Sequence, residues 1–67
     1  MLTELKAARM RKGLKQKEVA EITGINRTSV SSFEQRRLVA TAQQRQAIVD
    51  LLGGKESDFF ESSGLAL

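Results

Sequence analysis

Apolar residues recur along the chain at spacings of three and four, with polar side chains between them, the repeat of short amphipathic helices. Thr3 is an N-cap residue, and a first helix is predicted from there to Lys12, with Leu5, Ala8 and Arg9 on one face. Gly13 marks its end, and Leu14 folds back over it. A second helix is predicted over 16–23, with Val19, Ala20 and Thr23 on one face and Ile22 beside them. Gly24 stops it, and Ile25 follows as an apolar plug. Asn26 caps a third helix over 27–35. Val30 and Phe33 point inward there, and Arg27, Thr28, Ser31 and Ser32 point outward. A loop over 35–40 leads to Thr41, which caps a fourth helix ending at Leu52, with Ile48, Val49 and Leu52 as its stripe and Leu51 alongside. After Gly53 and Gly54, residues 56–61 allow one or two more turns carrying Phe59 and Phe60. Ser62, Ser63 and Gly64 read as a flexible stretch, and Leu65, Ala66 and Leu67 as a short apolar end. No stretch alternates over strand length, so the expected class is all-α.

Composition narrows the chemistry. Sixty-seven residues make one small domain. Cysteine and histidine are absent, which removes disulfides, zinc and iron–sulfur sites, and nucleophile systems built on either residue. No base stands beside a nucleophile, so the chain is not expected to be an enzyme, and neither metal nor cofactor is expected. The longest apolar run is three residues, too short for a membrane span or a signal-peptide core, and the expected location is the cytoplasm. The formal charge of +3 is unevenly spread: residues 1–52 carry +5 and residues 53–67 carry −2. A basic body with an acidic end points to a polyanion for the body alone.

Residues 16–35 combine these signals. Two helices of two to three turns are joined by Thr23, Gly24, Ile25 and Asn26. Small Ala20 sits where the helices would cross, and Val19, Ile25, Val30 and Phe33 supply the apolar inner corner. That is the pattern of a helix-turn-helix, whose second helix projects toward a DNA major groove. The stretch from Gln16 to Glu34 resembles the XRE, or phage-repressor and Cro-type, helix-turn-helix family. Upstream Leu5, Arg9, Lys12, Gly13 and Leu14 match that family's lead-in, and residues 48–53 match its fourth helix, so the resemblance covers about residues 3–60. It implies a compact, five-helix, lambda-repressor-like domain. Three positions depart from the family pattern. Lys15 stands where serine often caps the second helix, Gln35-Arg36-Arg37 where glycine often follows the third, and Ala40 where proline often precedes the fourth.

The resemblance also implies roles. Arg27 and Thr28 open the third helix and are expected to contact base edges, with Ser31 and Ser32 one turn further on. Gln16 and Lys17 at the start of the second helix are expected on phosphate, as are Arg36 and Arg37 after the third. Asn26 is expected mainly as a cap, with phosphate in reach. Similar proteins pair an arginine with a glutamate at the positions of Arg9 and Glu34, which implies a structural salt bridge. Phe59, Phe60, Leu65 and Leu67 are numerous large apolar groups for a short end and are expected at a homodimer interface. The chain therefore divides into a DNA-binding domain over 1–61 and an apolar tail over 62–67. The expected function is a sequence-specific regulator of transcription that represses by occupying double-stranded DNA as a dimer. The alternative is an antitoxin-type module that holds a partner protein and binds DNA through the same domain.

Overall fold

The structure, a computed structural model, describes residues 2–67. Among these, five helices follow in order: α1 (Glu4–Arg11), α2 (Gln16–Thr23), α3 (Arg27–Glu34), α4 (Ala42–Leu52) and α5 (Glu56–Phe59). There is no strand among the described residues beyond a single antiparallel bridge between Phe60 and Ala66. The class is all-α.

Local chemistry sets the helix ends. Thr3 Oγ1 accepts the Lys6 N–H at 3.2 Å and opens α1. Asn26 Oδ1 accepts the Thr28 N–H at 2.8 Å and opens α3. Thr41 and Gln44 bond reciprocally at the start of α4, Oγ1 accepting at 3.2 Å and Gln44 Oε1 accepting the Thr41 N–H at 2.9 Å, which is a capping box. The start of α2 differs. Lys15 has no side-chain acceptor, so only the reverse half is formed, Glu18 Oε1 accepting the Lys15 N–H at 2.9 Å. The third helix stops one residue short of the expected end, with Gln35 as its C-cap. Arg36 then takes a positive φ of 58°, uncommon outside glycine, and turns the chain away.

Every element contributes to one core. Leu5 and Ala8 come from α1, Val19 from α2, Val30 and Phe33 from α3, Ile48 from α4 and Phe59 from α5. Ile25, Ala40, Phe60 and Ala66 fill the connections. Phe33 and Ile48 are the largest wholly apolar members with almost no exposure. Burying a side chain of either kind contributes about 1.5–3 kcal/mol. The α2 helix packs on both α3 and α4, and α5 touches α1 and α4. The radius of gyration is 10.1 Å, slightly below the ~11 Å expected for a compact chain of this length.

The end of the chain is part of this packing. Ser62, Ser63 and Gly64, expected as a flexible stretch, form a hydrogen-bonded turn in which the Gly64 N–H donates to Glu61 O at 2.9 Å. The Glu61 N–H donates to Leu65 O, and the Leu67 N–H to Phe59 O, both at 2.8 Å. Leu67 O in turn accepts the Glu4 N–H at 2.9 Å, so the end closes over the first turn of α1. Gly64 is required at its position. Its φ is 96°, and a Cβ there would lie 2.7 Å from Ala40 O.

Candidate nucleic-acid interface

The α2–turn–α3 unit presents α3. Gly24 adopts φ 75°, a left-handed conformation that closes α2 through its N–H to Ala20 O at 2.9 Å. Thr23 Oγ1 donates to Val19 O at 2.7 Å and accepts the Ile25 N–H at 3.3 Å, which braces the turn. Ile25 is buried under it. Val30, Phe33 and Glu34 face inward, so the opposite side of α3 is left to solvent.

That side begins with Arg27 and Thr28, both exposed. Arg27 enters no ion pair among the described residues. Ser31 and Ser32 are half-buried, and Ser31 Oγ accepts from Gln35 Nε2 at 3.1 Å. An eight-residue helix is about 12 Å long, and a B-DNA major groove is about 12 Å wide, so α3 fits end-on or slantwise.

The expected phosphate residues fall into two groups. Lys17 and Arg37 are exposed and make no ion pair among the described residues. The first N–H groups of α2 have no side-chain cap, an arrangement that favours an anion. Gln16 is half-buried and donates through Nε2 to Glu34 Oε1 at 2.9 Å. Arg36 is paired with the C-terminal segment, Nη2 to Glu61 Oε2 at 2.5 Å. Asn26 is exposed, and its oxygen serves as the cap of α3.

Arg9 and Glu34 meet in a two-point ion pair. Arg9 Nε donates to Glu34 Oε2 at 2.5 Å and Nη2 to Oε1 at 3.1 Å, and the two side chains are 11% and 2% exposed. Arg9 Nη1 also donates to Leu14 O at 2.7 Å. The backbone O of Glu34 accepts from Thr3 Oγ1 at 3.1 Å. Glu34 of α3 thus ties together Thr3, α1 and α2, and Arg9 extends the link to the loop after α1.

Phe59 and Phe60 lie in the chain's own core, Leu65 is half-buried and Leu67 is exposed. Leu67 therefore offers the most apolar surface of the four. Three contacts of this region have no local signature: the Arg36–Glu61 pair, and the two made by Arg45, which donates to Glu56 Oε1 and to Ala40 O. A shallow groove of about 290 Å³ lies between the α2–α3 turn and the start of α4, lined by Asn26, Ser29, Gln43 and Gln44 among others. Gln43 and Gln44 escaped the sequence reading, although Thr41 as an N-cap already placed them in a first helical turn.

Among the described residues no helix is long and apolar enough to cross a membrane. A helix-turn-helix domain family model matches residues 1–59. No curated protein and no solved structure matches this chain.

Proposed function

The chain belongs to the helix-turn-helix domain family, and on that premise we propose a sequence-specific regulator of transcription, of the XRE or Cro kind, that binds double-stranded DNA. The observation that carries this reading is the outward side of α3, where Arg27 and Thr28 are exposed at the start of the helix and Arg27 enters no ion pair among the described residues. Arg27 reads a base edge, best matched by guanine O6 and N7. Thr28, Ser31 and Ser32 add shorter contacts along the same groove. Gln16, Lys17 and Arg37 hold phosphate and set the register, with Asn26 and Arg36 at the margins. The protein acts in the cytoplasm, and its output is occupancy: it represses by covering an operator and catalyses nothing.

The acting form is a homodimer. Residues 1–61 carry DNA binding, and residues 62–67 contribute Leu65 and Leu67 to the contact, with Phe59 and Phe60 holding that surface from beneath. Two copies of α3 then stand one DNA turn apart, about 34 Å, over a near-palindromic site. The antitoxin-type alternative would use the same tail for a partner protein; with Phe59 and Phe60 buried within this chain, Leu67 offers the most exposed apolar contact on either reading.

Selection of bound duplexes from a random pool tests the reading. The expected result is an enriched inverted repeat with half-site centres about 10–10.5 base pairs apart. Recovery of unenriched sequence at the same yield would refute sequence-specific binding.

A further inference from the structure

Glu34 is almost fully buried, yet its carboxylate serves a residue at the surface. Three N–H donors converge on it: Arg9 Nε, Arg9 Nη2 and Gln16 Nε2. Two oxygens offer about four lone-pair sites, so the group is nearly saturated. Of the two residues that supply these donors, Gln16 is the one at a helix start, where no side chain caps the N–H groups. Its primary amide has two N–H bonds, and one is spent on Glu34.

We infer that Glu34 is a positioning residue for Gln16: the buried carboxylate fixes the Gln16 amide so that its second N–H and the first N–H groups of α2 meet one phosphate together. The inference rests on the DNA-binding reading above and names a determinant of its affinity that touches no DNA. A surface glutamine must lose the freedom of three side-chain torsions to hold a phosphate. Here the hydrogen bond to Glu34 has removed much of that freedom before binding, an advantage of about two- to tenfold in affinity. The bare carboxylate alone would repel the phosphate. Arg9 cancels that charge through two points, and its bond to Leu14 O keeps the chain entering α2 in place. The three side chains thus act as a unit in which Gln16 faces the ligand, Glu34 orients it and Arg9 neutralises Glu34.

Two measurements test this. The first is made on the unmodified chain without DNA. The side-chain amide of Gln16 is expected to be more ordered in NMR relaxation than that of Gln43, which is exposed. Equal mobility of the two amides overturns the inference. The second measures affinity for a selected operator in four proteins: the unmodified chain, Gln16→Ala, the apolar swap Arg9→Met with Glu34→Leu, and the swap plus Gln16→Ala. Gln16→Ala is expected to weaken binding about fivefold in the unmodified chain and less than twofold in the swap. A purely structural Glu34 shifts the melting temperature but leaves the Gln16→Ala loss equal in both backgrounds, and that equality overturns the inference. If the unmodified chain binds no DNA, the DNA-binding reading itself fails. The amide measurement then still reports whether Glu34 holds Gln16. It also decides the matter if the swap does not fold.

Discussion

At the start of α3, Arg27 and Thr28 stand in solvent, and Arg27 enters no ion pair among the described residues. Seven residues later, Glu34 has a side chain 2% exposed, three donors on its carboxylate and a fourth on its backbone oxygen. Phe33 beside it has no exposure at all. One short helix is thus a buried anchor at one end and an open, solvent-facing surface at the other. The contrast explains how a domain of 67 residues presents a helix with accuracy. On the proposed reading, orientation is fixed away from the residues that read, and those residues are expected to bear little of the fold's stability.

Substitutions along α3 can break that division. Phe33→Ala removes the most enclosed aromatic ring and costs about 3–5 kcal/mol, against a total of roughly 3–10 kcal/mol for a chain of this size. Loss of most helical circular dichroism at 37 °C is expected, and retention of a sharp native melt would contradict the anchor. Glu34→Leu leaves Arg9 unpaired in a nearly dry site and costs about 3–5 kcal/mol. Adding Arg9→Met should recover part of the loss in urea melts, because no charge is then stranded. Strict additivity of the two losses would show that the pair is not coupled.

The open end predicts smaller effects on stability. Asn26→Ala removes the cap of α3 and lowers stability by about 1 kcal/mol. A loss above 3 kcal/mol would mean that the reading end is also an anchor. Lys17→Ala changes stability by less than about 0.5 kcal/mol. Its expected signature lies in DNA binding: affinity falls alike on all sequences, and the log–log salt slope shrinks by about one. An unchanged slope would remove Lys17 from the phosphate contacts.

The anchor and the proposed reading surface were legible in the sequence to different depths. Thr3, Asn26 and Thr41 announce helix starts by chemistry confined to three or four residues, and Gly24 announces a stop in the same local way. Local signals of that kind survive without tertiary knowledge. The bond from Gln16 to Glu34 spans 18 residues and depends on how α2 crosses α3. The C-terminal turn depends on Glu4 meeting Leu67 and on Ala40 meeting Gly64 across the fold. Nothing in the polar run Ser62-Ser63-Gly64 announces those partners, so it reads as flexible. Arg36 shows the same limit: its charge reads as a phosphate contact, while its partner Glu61 lies 25 residues away.

The central claim is that the exposed start of α3 reads sequence. Its most direct test is the ratio of affinities for a selected operator and for a scrambled duplex, at one fixed salt concentration, in the unmodified chain and in Arg27→Ala. Arg27→Ala is expected to lower that ratio by about 1–3 kcal/mol in free-energy terms, while the melting temperature stays within the range of an ordinary surface change. A ratio that stays the same in both proteins would contradict the claim.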